Sequence, residues 1–207
     1  MKTSYAFAGL AAGLLSLAAV ATVSADNPTG ATVGQAAPAF SLLDTAGTTH
    51  TLEQYTKEGK VVVLEWFNAD CPFVKKHHKD HKTMKETASR YAARNVVWLA
   101  INSSAEGKQG AGTERNIKAK EEYGIEYPIL LDTNGAIGRA YGAKCTPHMF
   151  VIDSKGKVAY NGAIDDNKSP DTVGTNFVAA ALDAVLEGKP VANSNNTPYG
   201  CGVKYSN

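Results

Sequence analysis

Three thiols, Cys71, Cys145 and Cys201, are the side chains best suited to chemistry in this chain. The first lies in its most informative stretch. Val61-Val62-Val63-Leu64 runs into Glu65-Trp66-Phe67, an apolar and β-branched run that suits a buried strand. Asn68-Ala69-Asp70 breaks that run, Cys71-Pro72 follows at once, and no further Pro or Gly occurs before Gly107. Proline is favoured at the first position of a helix, because its missing N–H would have no partner there. The spacing therefore predicts Cys71 at or beside an N-cap, at the carboxyl end of a strand, with free backbone N–H groups aimed near its sulfur. That setting favours the thiolate, the form that attacks disulfides and peroxides. The competing reading is a buried cysteine that only packs. The strand-end placement favours a reactive sulfur, open to incoming electrophiles.

Other polar residues crowd the same region. Lys75, Lys76, Lys79, Lys82 and Lys85 follow Cys71 on one predicted helix; their charge favours a thiolate, Asp70 opposes it, and most of them are expected on a solvated face. His77 and His81 are four apart, and His78 and His81 three apart, so two can share a helical face. With Cys71 a turn away, a copper or zinc site is the alternative to redox chemistry. The bland reading is an exposed polar helix, and the spacing does not match a closed metal motif. His148 is a candidate base for Cys71, unless strand alternation turns it away. Trp66, Phe67 and Phe73 are expected to pack in the core.

The elements that must position these residues follow from the rest of the chain, 207 residues long with a net charge of +1. Such a balance does not point to nucleic acid. Residues 1–25 read as a signal peptide: Lys2, an Ala- and Leu-rich core, and Val23-Ser24-Ala25 as a cleavage pattern. The reading implies an exported, periplasmic or secreted protein with no stable membrane insertion after cleavage, in a compartment where disulfides persist. Residues 26–34 are expected to be a mobile leader, 35–190 one domain, and 191–207 a polar tail carrying Cys201. Predicted strands cover 48–52, 61–67, 96–102 and 127–132, with a hairpin over 148–153 and 157–161. Predicted helices cover 72–93, 113–123 and 177–186, with a helical turn at 138–143. Early alternation of strands and helices, then a hairpin and a helix, predicts an α/β sandwich with a mixed central sheet flanked by helices. In such sheets, sites gather beyond the carboxyl ends of parallel strands, where Cys71 stands.

Several stretches together carry a family resemblance. They are Ala37-Pro38-Ala39-Phe40-Ser41-Leu42-Leu43-Asp44, Trp66-Phe67-Asn68-Ala69-Asp70-Cys71-Pro72-Phe73-Val74, and Cys145-Thr146-Pro147-His148-Met149-Phe150-Val151-Ile152-Asp153. Tyr199-Gly200-Cys201-Gly202-Val203-Lys204-Tyr205 closes the pattern. In their order, the chain resembles the thioredoxin-like superfamily, within it the redoxin or peroxiredoxin-like (AhpC/TSA-type) branch. Val74 stands where a thioredoxin has the second cysteine of its C-x-x-C motif, and Asn68-Ala69-Asp70 replaces the Thr-containing approach of a typical peroxiredoxin.

The resemblance implies thiol redox chemistry on a thioredoxin-like sandwich, with Cys71 as nucleophile and an antioxidant or disulfide-exchange role. It implies a cis Thr146-Pro147 bond facing Cys71, and Cys145 near the rim of the site. With no cysteine at 74, the partner of Cys71 must come from elsewhere. Cys71–Cys145, Cys71–Cys201 and a structural Cys145–Cys201 bond all remain open. The expected partners are a protein disulfide or peroxide substrate and an external thiol reductant. No G-x-G-x-x-G follows a strand and there is no phosphate-binding loop, so no organic cofactor is expected.

Overall fold

Val61 to Trp66 bury all six side chains, which a strand can do only when covered on both faces. The computed structural model describes residues 30–206; the predicted signal segment and residues 26–29 of the leader lie outside them. In chain order come β1 (Ser41–Leu43), β2 (Thr49–Thr51), α1 (Leu52–Lys57) and β3 (Val61–Trp66). Then follow α2 (Pro72–Lys75), a π-helical turn (Lys76–Asp80), α3 (Thr83–Ala92), β4 (Val96–Asn102) and α4 (Thr113–Tyr123). The remainder is β5 (Ile129–Leu131), α5 (Ala136–Tyr141), β6 (Cys145–Thr146), β7 (His148–Ile152), β8 (Val158–Gly162), α6 (Phe177–Leu186) and β9 (Cys201–Gly202).

The central sheet has the order β5-β4-β3-β7-β8. β4 runs parallel to β3 and to β5, whereas β7 is antiparallel to β3 and to β8. This is the mixed α/β sandwich that the sequence predicts. Strand alternation splits the core into two layers. Val62, Leu64 and Trp66 pack with Leu52, Tyr55, Tyr141 and Phe150 on one face. Val61 and Val63 pack with Met84, Tyr91, Val178 and Leu182 of α3 and α6 on the other.

Glu65 falls on that second face and is fully buried. Its Oε1 lies 2.5 Å from His78 Nε2, and its Oε2 accepts from Tyr127 Oη at 3.0 Å and Trp98 Nε1 at 3.1 Å.

Two expectations need correction and two features were not foreseen. The single helix over 72–93 is broken: His81 N donates to Lys76 O at 2.9 Å, a wider i→i+5 closure, and Lys82 takes φ +57° before α3 begins. The wide turn swings Lys76, His77 and His78 inward together, so three consecutive residues expected on a solvated face are buried. Lys75, Lys79 and Lys82 do face solvent. Second, residues 30–34 are not a loose leader. Ala31 is buried and donates to Tyr141 O at 3.0 Å, and Gly34 N donates to Val158 O at 2.8 Å.

Third, α1 is an additional element, opened by a capping box in which Thr51 Oγ1 accepts from Gln54 N and Gln54 Oε1 accepts from Thr51 N. Fourth, the tail is docked. Asn196 Oδ1 accepts from Ala163 N at 2.8 Å, Ala105 N donates to Lys204 O at 2.8 Å, and Tyr205 Oη donates to Ala143 O at 2.9 Å.

Removing His78 leaves one oxygen of the buried Glu65 carboxyl without its partner. His78→Leu is expected to lower the unfolding free energy by about 2–4 kcal/mol, read from a urea transition of unchanged slope. A loss below about 0.5 kcal/mol would contradict this role for the pair.

Candidate active site

Cys71 stands where the sequence predicts, as the N-cap of α2 (φ −83°, ψ 125°) with Pro72 at the first helical position. Asn68 shapes the approach. Its Oδ1 accepts from Asp70 N at 2.9 Å and its Nδ2 donates to Gln109 O at 2.9 Å. The Cys71 amide closes the turn on Asn68 O at 3.1 Å. Asp70, expected to oppose a thiolate, is paired with Arg115 at 2.7 Å, so its charge is largely answered beside the site.

The sulfur itself departs from expectation. It makes no capping bond to α2 and instead donates to Thr146 O at 3.0 Å. It is also covered rather than open: Cys71 is 1% exposed, packed among Phe67, Ala69 and Val74, with Phe73 and Cys201 laid against the same cluster.

Thr146 and Pro147 are joined by a cis peptide bond and supply the carbonyl opposite the sulfur. β6 pairs antiparallel with β9, Cys145 opposite Gly202 and Thr146 opposite Cys201. Opposed residues in such a ladder project to the same side and successive residues to opposite sides. Cys201 and Cys145 therefore point apart. Cys201 packs against the apolar cluster that holds Cys71. Cys145 lines a cleft of about 820 Å³ together with Lys144, His148, Asn161 and Lys168, its Sγ 3.5 Å from Pro147 O. All three cysteines are free thiols. Burial first, and the neighbouring Cys71 sulfur second, push Cys201 up to about 11. Burial first, and the neighbouring sulfurs second, push Cys145 up to about 12. Both are thiols at neutral pH.

Gly200 lets the tail approach this closely. A Cβ there would collide with the carbonyl of Thr146, and its φ of +147° is one that side chains rarely adopt.

The histidines do not converge on Cys71. His77 Nε2 meets Tyr199 Oη at 2.8 Å, His78 is held by Glu65, and His81 Nε2 donates to Pro170 O at 2.9 Å. Among the described residues, no group of three His, Cys, Asp or Glu side chains is arranged to hold a metal ion. The copper or zinc alternative built on Cys71 and the helix histidines is corrected accordingly. His148 is no base for Cys71 either. Its Nε2 donates to Asn161 Oδ1 at 2.7 Å and its Nδ1 accepts from Lys144 N at 3.3 Å. Burial lowers it to about 4.

Sequence reasoning gave no role to Tyr199 and Asp165 and placed Lys76 with the solvated lysines; all three pack around the tail just ahead of Cys201. The available signal was an aromatic residue two places before a cysteine in an otherwise polar segment.

A family profile described as Redoxin matches residues 32–176. The thiol-disulfide oxidoreductase ResA of Geobacillus thermodenitrificans is 34% identical over 130 residues, which is 63% of this chain and 68% of that protein. An uncharacterized conserved protein from Geobacillus kaustophilus superposes with a TM-score of 0.74 at 32% identity, covering 87% of this chain and 93% of that one. A hypothetical protein from Sinorhizobium meliloti 1021 gives 0.76 at 30% identity, covering 84% and 95%.

Two outcomes follow from the geometry. Gly200→Ala is expected to lift the tail, raising alkylation of Cys201 by N-ethylmaleimide about tenfold with an unchanged far-ultraviolet spectrum; an unchanged rate would refute the close fit. His148 is neutral when folded and has an ordinary value near 6.5 when unfolded. Stability it contributes is thus complete above about pH 6.5 and lost as pH falls toward 4, by on the order of 3 kcal/mol. His148→Gln should flatten the denaturant midpoint across that window, and an identical slope in the variant would exclude the assignment.

Proposed function

The chain belongs to the redoxin family and is a thiol-dependent oxidoreductase, and from that premise we propose that it reduces protein disulfides through Cys71 and Cys201. The observation that carries the reading is that Cys201 lies opposite Thr146 in the β6–β9 ladder and against the Cys71 cluster, while the Cys71 thiol bonds the Thr146 carbonyl. Cys71 gives up its proton and its sulfur attacks one sulfur of the substrate disulfide. That S–S bond breaks, one substrate thiolate leaves and takes up a proton, and a Cys71–substrate mixed disulfide forms. Cys201, held protonated by burial until then, loses its proton and attacks the Cys71 sulfur, releasing the second substrate thiol. The substrate has gained two electrons and two protons, and the protein holds a Cys71–Cys201 disulfide. An external dithiol reductant returns both. Thr146 and Pro147 hold the carbonyl that orients the Cys71 sulfur; Cys145 faces the cleft and stays outside the cycle.

Similarity to the Geobacillus thiol-disulfide oxidoreductase supports disulfide exchange ahead of peroxide reduction. The Ala-rich start and the Val23-Ser24-Ala25 pattern support export and a mature chain from residue 26, in a compartment where protein disulfides are available as substrates.

Turnover of a disulfide-bonded peptide with dithiothreitol as reductant tests the scheme. Cys71→Ser is expected to lose at least ~100-fold in rate, while Cys145→Ser stays within about twofold. Cys201→Ser should accumulate the mixed disulfide, visible by mass as protein plus one peptide strand. The reading fails if Cys71→Ser retains turnover, or if Cys145→Ser rather than Cys201→Ser traps the adduct. Hydrogen peroxide offered in place of the peptide should be consumed much more slowly; faster consumption would make peroxide the substrate.

A further inference from the structure

Cys71 is covered, and Cys201 is part of what covers it, so whatever seats the tail also sets the sulfur pair. Two residues before Cys201, Tyr199 buries its ring edge-on against Phe73, with ring centroids 5.5 Å apart. Its hydroxyl enters a cluster of polar groups drawn from elsewhere in the chain. It donates to Asp165 Oδ1, meets His77 Nε2 at 2.8 Å and lies 3.5 Å from Lys76 Nζ. Lys76, only 2% exposed, donates to Asn167 O at 2.6 Å. Asp165 is fixed in turn by Gly174 N at 2.7 Å and Asn167 N at 3.2 Å.

Burying a lysine, an aspartate and a histidine together costs desolvation that an apolar plug would avoid. What the cluster supplies is direction. A phenolic hydroxyl has one hydrogen to give and lone pairs to offer, and here an acceptor, an imidazole and an ammonium group surround it from separate segments. The π-helical turn makes this possible, because it turns Lys76 and His77 to the tail while His78 stays on Glu65.

Resting on the Cys71–Cys201 pairing above, we propose that Tyr199 is a positioning residue, a latch whose hydroxyl is gripped by Asp165, His77 and Lys76. It seats Cys201 against Cys71, so it raises the effective concentration of the resolving thiol and screens Cys71 from bulky reagents. Tyr199 takes no part in bond making. A substrate disulfide reaches Cys71 when the latch releases, and the latch returns Cys201 to complete exchange.

The test uses the full chain equilibrated in glutathione buffers, with the Cys71–Cys201 disulfide quantified by acid quenching and mass analysis, and with iodoacetamide alkylation of Cys71 followed in the reduced protein. Tyr199→Phe keeps the ring and removes the hydroxyl. It is expected to lower the effective concentration of Cys201 about tenfold and to speed Cys71 alkylation by a similar factor. Tyr91→Phe, which removes another buried hydroxyl, one that donates to Ala179 O away from the tail, should leave both within about twofold. If Tyr199→Phe moves these quantities no more than Tyr91→Phe does, the latch is refuted while the pairing stands. If the unaltered protein forms no Cys71–Cys201 disulfide, the pairing falls and the latch with it. His77→Gln, read the same way, keeps the test decisive should Tyr199→Phe fail to fold.

Discussion

The carbonyl oxygen of Thr146 accepts a hydrogen bond from the Cys71 thiol at 3.0 Å, and Gly200 of the tail presses against the same group. Three segments far apart in the chain therefore meet at one peptide unit: the start of α2, the Thr146-Pro147 bond and the β9 tail. Each needs the others. Without the β6–β9 pairing, Cys201 would be one more polar-tail thiol. Without the bound carbonyl, the Cys71 sulfur would have no fixed heading at the end of β3. A glycine at 200 is what lets two backbones approach so closely.

Beneath this contact the molecule uses charged and polar side chains where an apolar core would serve stability as well. Glu65 with His78, Tyr127 and Trp98 fixes the underside of the site segment. Asp165 with His77, Lys76 and Tyr199 fixes the tail. The two networks are reached from adjacent residues, His78 and His77, of one π-helical turn. A regular α-helix steps about 100° per residue and would spread three consecutive side chains over more than half its circumference. The wider turn gathers them inward, tying the segment that follows Cys71 to the central strand on one side and to the tail on the other.

Periodicity carried most of the fold. The spans of β4, α4 and α6 match their sequence-based expectations residue for residue, because each buries a clear strand or helix pattern between turn residues. The mixed sheet and the Cys71-Pro72 N-cap were legible for the same reason. What sequence could not supply was anything decided by tertiary partners. The π-helical turn has the composition of a solvated helix, and only its buried acceptors, Glu65 and Asn167 O, explain why Lys76 and His78 turn inward. The tail has no periodicity, because Asn196 and the backbone of 194–204 hold it by hydrogen bonds rather than by an apolar stripe. Which of Cys145 and Cys201 faces the Cys71 cluster depends on register, and one residue of register sends a side chain to the opposite face. The α1 helix was an avoidable omission, since Thr51-x-x-Gln54 is a capping signature.

The account stands on Cys71 and Cys201 being the sulfurs that bond. Peptide mapping of the air- or diamide-oxidised protein, with free thiols alkylated before digestion, examines this directly. It should recover one Cys71–Cys201 cross-linked peptide pair and alkylated Cys145. Recovery of Cys145–Cys201 with alkylated Cys71, or of Cys71–Cys145, would contradict the account.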